Sequence, residues 1–244
     1  MTVPTREVLI NGRWPLVLPE HRASREEWAT GWEPERLDSM YANLRPGMVV
    51  YDIGTEEGDL SALFARWVLS DGGGVVLVEP NPRVWPNVRC IWEANGLPDP
   101  LACVVGFAGD ENRGVPALTG WPPCADGPII GDHGFLNVLE CPDGQVVTID
   151  ALAELVAPPD VITMDVEGAE VLAVRGAQRT LAEHRPLVWV SVHAEAMFHD
   201  HGVYQAEFHS MLHRHGYEKV LLGFDHELHV FYFPSERRGD VVLP

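Results

Sequence analysis

VVYDIGTEEGD, residues 49–59, is the stretch on which the fold turns. It opens as an apolar run, 48–53, of a buried strand's length and content. It then bends between Gly54 and Gly58, as a backbone does where it turns sharply or approaches a ligand closely. Beyond Asp59, a fair N-cap, Leu60, Leu63, Phe64, Trp67 and Val68 recur at helical spacing. Strand, glycine turn and helix in that order form the nucleotide crevice of an open α/β sheet. A ligand with an adenosine moiety is therefore expected at the end of the first strand.

Downstream the rhythm repeats. Residues 75–78 read as a second buried strand, ending at Glu79-Pro80-Asn81-Pro82, with a helix over 84–94 and a third strand over 101–105. Such β-α-β crossovers are right-handed almost without exception. The segment 111–147 breaks the pattern. It is rich in Gly and Pro and reads as an irregular insertion or lid with at most one hairpin. It carries His133, and its Trp121, Phe135 and Leu136 suit a substrate wall.

A short helix starts at Thr148, and a fourth strand, 161–164, ends at Asp165. A helix is expected over 167–183, with Val171, Val174, Ala177 and Leu181 facing inward. Residues 186–192 form a continuous apolar strand, buried on both faces. Tyr204, Phe208, Met211 and Leu212 mark a further helix, stopped by Gly216. Too few residues separate strands 217–222 and 228–233 for a crossover helix, so that pair is antiparallel. Upstream, residues 1–31 form an N-terminal arm, either a short hairpin through Asn11-Gly12 or a loosely attached tail. Ser24 and Glu27 have capping-box spacing, and a helix over 34–44 leads into the first strand. The main domain is then 32–244.

Bulk chemistry narrows the function. Lysine and arginine total 17 against 36 aspartates and glutamates, a net charge of −19 over 244 residues. That balance argues against a nucleic-acid partner, which needs neutralising cations, and against an anionic membrane surface. Cys90, Cys103, Cys124 and Cys141 form no CxxC pair, as expected of thiols in a reducing cytosol. No apolar run approaches a membrane span, and the start lacks a leader's basic-then-apolar pattern. A soluble cytoplasmic protein is expected.

Two adenosine ligands compete for the crevice. A dinucleotide fingerprint needs G-x-G-x-x-G for close approach to a pyrophosphate, whereas here Glu56 and Glu57 lie inside the turn. Those carboxylates would repel a pyrophosphate. A sulfonium reverses the sign, and its amino-acid end carries an ammonium suited to Asp52 and a turn glutamate. Glu79, about 20 residues after the turn, can accept from both ribose hydroxyls. S-adenosylmethionine fits these residues better than NAD.

VVYDIGTEEGD, followed by VVLVEPNPRVW and later VITMDVEGAEVLAVRGA, resembles the FkbM family of S-adenosylmethionine-dependent methyltransferases. The resemblance covers roughly residues 32–233. It implies a Rossmann-like class I methyltransferase fold, a seven-stranded mostly parallel sheet whose last strand is antiparallel. It also implies O-methylation of a small-molecule hydroxyl acceptor, a sugar or secondary metabolite. The chain departs from the family pattern at Thr55 and Glu56, where a small residue and Asn are usual.

Cofactor contacts expected by position are Glu33 from the segment before the domain, and Asp52, Gly54, Thr55, Glu57 and Gly58 at the first turn. Glu79, Pro80 and Asn81 follow at the second strand end, and Gly106, Phe107 and Ala108 flank the adenine. Trp32 either closes over the methionine end or simply packs. Asp165, at the switch point of the sheet, is the expected catalytic carboxylate and a further cofactor contact. His193, ending the fifth strand across the crevice, is the expected base. A divalent metal such as Mg²⁺ on Asp165, His193 and Glu195 is a second possibility. His209 and His213 share a helix face, but no third ligand completes a zinc spacing, and His199 and His201 are candidates for the acceptor pocket. Competing classes are an NAD-dependent oxidoreductase and a non-catalytic nucleotide-binding module. The arm and exposed tryptophans could pair subunits as a homo-oligomer.

Overall fold

The computed structural model describes residues 4–114, 118, 120–131, 134–141, 143–224 and 227–244. His133 lies outside them. The chain begins with a hairpin of β1 (Thr5–Ile10) and β2 (Trp14–Pro19), turning through Asn11 and Gly12, both left-handed. Short helices α1 (Glu20–Ala23) and α2 (Glu27–Thr30) follow, then α3 (Pro34–Asn43). The repeating part runs β3 (Val49–Ile53), α4 (Asp59–Val68), β4 (Gly74–Val78), α5 (Trp85–Ala94) and β5 (Ala102–Val104).

Two short strands, β6 (Phe107–Ala108) and β7 (Val146–Val147), bracket the insertion and pair in parallel. Then come α6 (Ile149–Leu155), β8 (Val161–Met164), α7 (Glu170–Arg175), α8 (Gln178–Glu183) and β9 (Leu187–Val192). The chain closes with α9 (Ala194–His201), α10 (Gln205–Arg214), β10 (Tyr217–Phe224) and β11 (Leu228–Pro234).

The main sheet has seven strands in the order β10-β11-β9-β8-β3-β4-β5. All neighbours pair in parallel except β11, which is antiparallel to both β9 and β10. Alternation along each strand feeds two cores. Val50, Val75, Leu77 and Trp189 face α3, α4, α5 and the hairpin. Tyr51, Val76, Val78 and Val190 face the helices between β7 and β10. No helix among the described residues is long and apolar enough to cross a membrane.

Four local expectations are corrected. The N-terminal arm is no loose tail: Ile10, Trp14, Leu16, Leu18 and Trp28 are buried in the first core. No capping box forms, because Ser24 Oγ donates to His21 O and does not accept from a backbone N–H at the start of α2. Gly58, not Asp59, caps α4, since the Asp59 carboxylate is drawn to Arg22. The helix expected over 167–183 is two helices broken at Gly176. There the backbone of Gly109 passes so close that a Cβ on Gly176 would stand 1.9 Å from Gly109 O. Helix α9 has a weak apolar pattern and was not expected.

Candidate functional site

The site lies over the carboxyl ends of β3, β4 and β8, where a parallel sheet leaves its loops and helix starts pointing the same way. Gly54 makes the opening there. It sits at φ +87°, and a Cβ on it would come within 1.8 Å of Asp165 O. Only glycine lets the β3 and β8 ends meet. The turn is fixed to β4 by Gly54 N and Thr55 N, which donate to Val78 O at 2.9 and 3.1 Å.

Two cavities share this rim. The first is bounded by Glu79, Pro80 and Asn81 on one side and Gly106, Phe107 and Ala108 on another, with Phe135 and Leu136 of the insertion above. The second is bounded by Glu33, Asp52 and Thr55 from below, and by Trp32, Arg22, Arg25 and Arg36. Gly54, Glu79, Phe135, Asp165 and Glu167 line both. Most expected contacts are thus gathered in one groove, with Asp165 at the seam.

Glu57 and Gly58 line neither cavity. Glu57 is buried behind the turn, its Oε2 2.6 Å from His21 Nε2 and accepting from Asn87 Nδ2 at 2.8 Å. Gly58 instead lies against Val88, which a Cβ would meet at 2.9 Å. Arg22, missed in the sequence because it lies in the arm, is 1 % exposed and gathers the acids of the turn. It donates to Asp59 at 2.7 Å and to both oxygens of Glu56 at 3.1 Å, and lies 3.6 Å from Glu57. Burial alone would lower its pKa, but these carboxylates raise it. Arg25 stands 3.7 Å from Glu56. The turn acids are therefore neutralised by the arm. Other carboxylates face the groove, among them Asp52, Asp165, Glu167 and Glu227.

Glu79 and Asp52 hold distinct environments. Glu79 Oε2 accepts from Glu56 N at 3.1 Å and Oε1 from Asn81 N at 2.8 Å, which aims the carboxylate along the groove. With about four acceptor positions, a carboxylate can serve those donors and sugar hydroxyls as well. Asn81 spends its side chain on the insertion, donating to Gly134 O at 2.9 Å. Burial pushes Asp52 up to about 7, against the hydrogen bond from Ser61 and the charge of Arg36. Arg36 itself is pinned between Glu33, Thr163 and Ser191.

His193 does not behave as the expected base, and it lines neither cavity. Its Nδ1 lies 2.6 Å from Glu170 Oε1, and its Nε2 contacts Glu227 and faces Glu167 at 3.5 Å and Asp165 at 3.7 Å. Burial would lower its pKa, but the hydrogen bonds to Glu170 and Glu227 and the surrounding charges raise it to about 11. Both ring nitrogens are therefore engaged by carboxylates, which makes the ring a poor candidate for a free general base. Asp165 is raised well above the carboxylate range, first by burial and then by the charge of Glu227. It is the better proton acceptor. Glu227, just before β11, is a site residue with no local sequence signal.

The remaining expectations divide. Phe135 and Leu136 line the first cavity, but Trp121 packs edge-on against Trp92 instead. His201 lines that cavity and His199 does not. His209 bonds Tyr232, away from any ligand cluster. Glu195 is absent from the donor groups, whereas Asp165, Glu167 and His193 have ligand atoms within 4.8 Å of one another.

The groove suits an adenosyl sulfonium: sugar acceptor, apolar ring slot and carboxylates lie in line. Comparison with known proteins gives the family. No curated protein matches the sequence. Among solved structures, a methyltransferase FkbM from Methylobacillus flagellatus KT aligns with a TM-score of 0.53 at 17% identity, over 77% of this chain. The chain spans only 44% of that protein's length. A precorrin-6y C5,15-methyltransferase from Geobacter metallireducens aligns at 0.49 and 12% identity, covering 86% of this chain and 94% of that one. Aeropyrum pernix fibrillarin, in complex with S-adenosyl-L-methionine, aligns at 0.46 and 18%, covering 96% and 84%. The methyltransferase FkbM domain profile matches residues 52–219, which include β3 and the turn, Glu79, Asp165 and His193. The chain belongs to the FkbM family of S-adenosylmethionine-dependent methyltransferases.

Proposed function

We propose that this chain transfers a methyl group from S-adenosylmethionine to a hydroxyl oxygen of a small molecule, a sugar or secondary metabolite. The observation that carries the reading is the groove of two joined cavities, with Glu79 and Asp52 bounding it and Asp165 at the seam. Gly106 and Ala108 leave room for an adenine, and Glu79 accepts from the ribose. Asp52 and Thr55 meet the amino-acid end. Bound there, S-adenosylmethionine supplies an electrophilic methyl on a positively charged sulfur.

Asp165 aligns the acceptor hydroxyl and takes its proton as the oxygen–carbon bond forms and the sulfur–methyl bond breaks, leaving S-adenosylhomocysteine. Its raised proton affinity suits that task. Phe135 and Leu136 shield the seam from water. Holding both reactants in one groove makes proximity the main source of rate. The net charge of −19 supports a small acceptor over a nucleic acid or a membrane, and a cytoplasmic enzyme is the companion reading.

Calorimetry with S-adenosylhomocysteine tests the donor: micromolar binding is expected, and none at millimolar ligand would end the proposal. NADH is expected to give no fluorescence change. Mass spectrometry of a labelled product then distinguishes oxygen from nitrogen as the methylated atom.

A further inference from the structure

Four carboxylates, those of Asp165, Glu167, Glu170 and Glu227, surround the His193 ring. Glu33, Asp52, Asp165, Glu167, Glu170 and Glu227 are gathered about Arg36 and His193. Buried charge on this scale is normally paired or bound to a metal. We propose that Asp165, Glu167 and His193, with Glu227 alongside, form a site for one divalent cation of the Mn²⁺ class at the transfer end of the groove. Binding of the ion stands by itself; its role toward the acceptor rests on the methyl-transfer reading.

Geometry is the first argument. His193 Nε2 lies 3.7 Å from Asp165 Oδ1 and 3.5 Å from Glu167 Oε2. Those separations exceed a hydrogen bond. Neighbouring ligands at right angles around an ion bound at about 2.1–2.5 Å stand roughly 3.0–3.5 Å apart, so the Glu167 separation matches and the Asp165 separation is slightly longer. Carboxylate oxygens with one imidazole nitrogen suit Mn²⁺ better than Mg²⁺, which favours oxygen alone, or a structural zinc.

Glu170 is the second, independent argument. It is fully buried behind His193. Its Oε1 holds His193 Nδ1 and Gly168 N, which turns Nε2 toward the other donors. Its Oε2 is buried with no hydrogen-bond partner among the described residues. An outer carboxylate orienting a histidine is the usual support for a metal ligand.

Access is the third argument. Asp165 and Glu167 side chains are 34% and 47% exposed and line both cavities, so coordination positions stay open to an acceptor oxygen. The adjacent donor group Glu33, Glu227 and His229 is buried throughout, and Glu33 is occupied by Arg36. It offers no open position. An ion held there would lower the proton affinity of a hydroxyl coordinated to it.

The test is a Mn²⁺ titration of the full chain, followed by electron paramagnetic resonance of the free ion, in about 0.15 M KCl to screen diffuse surface charge. Wild type is expected to bind one ion at micromolar concentration. Glu167→Gln should bind at least tenfold more weakly with an unchanged Tm, and Glu195→Gln should bind like wild type. Mn²⁺ should broaden the ring signals of His193 before those of the other histidines. Failure to bind at millimolar Mn²⁺, equal binding by Glu167→Gln and wild type, or uniform broadening of all histidines each overturns the site. Calorimetry with S-adenosylhomocysteine is read separately, so loss of the ion site leaves the donor reading standing.

Discussion

Arg22 holds Glu56 through two hydrogen bonds of 3.1 Å each, from a helix in the N-terminal arm to the middle of the glycine turn. The same guanidinium bonds Asp59 at the start of α4. The arm is therefore part of the candidate site. It closes the second cavity and keeps Glu56 in its left-handed conformation, φ 51°, from which Glu56 N reaches Glu79.

Arg22→Met should destabilise the protein by about 3–5 kcal/mol, because it strands buried carboxylates rather than removing a balanced pair. For a chain of this size that is roughly a 6–20 °C fall in Tm. Arg22→Lys should recover part of it. A Tm within about 1 °C of wild type for Arg22→Met would contradict the arm's role.

Asp52 sets a pH dependence. Its folded pKa of about 7 lies above the ordinary aspartate value of 3.8. The folded state thus binds the proton more tightly than the unfolded chain. The stability this contributes is full below about pH 4 and is lost as pH rises through 7, a change of about 4 kcal/mol. Binding of the donor's ammonium runs the other way, because it needs the carboxylate. Affinity for S-adenosylhomocysteine should fall about tenfold per unit below pH 7. Asp52→Asn should bind weakly at every pH and be more stable than wild type at pH 8. A pH-independent wild-type affinity between 5.5 and 8 would rule this out.

Glu79→Ala should weaken S-adenosylhomocysteine about 10- to 150-fold, the loss of charged hydrogen bonds worth about 1.5–3 kcal/mol. Glu79→Gln should fall between. An unchanged dissociation constant for the alanine variant would move the ribose elsewhere.

Gly54→Ala should abolish measurable cofactor binding. The new methyl collides with Asp165 O, and the left-handed backbone adds its own strain. Retention of wild-type affinity, measured by calorimetry, would show that the β3 and β8 ends can separate.

Much of the fold was legible because it is local. Alternating or continuous apolar runs mark β3, β4, β8 and β9, and the short link before β11 forces an antiparallel end. Gly54, Glu79 and Asp165 could be placed because each terminates such a strand. The split between α7 and α8 was not legible, since its cause is Gly109, far away in sequence. Trp121 and Phe135 looked alike as insertion aromatics, yet one packs on Trp92 and the other roofs the groove.

Glu57 and His193 show where local reading stops. Both sit at positions that point to chemistry, and both are redirected by partners from distant segments, His21 for one and Glu170 with Glu227 for the other. By itself the sequence determined the order of strands, the glycine turn and the carboxylates at the strand ends, because spacing and periodicity act within a few residues. Only the tertiary structure decided which carboxylates face the groove, which are spent on Arg22, and which carboxylates surround His193. Those outcomes depend on burial and on charges brought together by long-range packing.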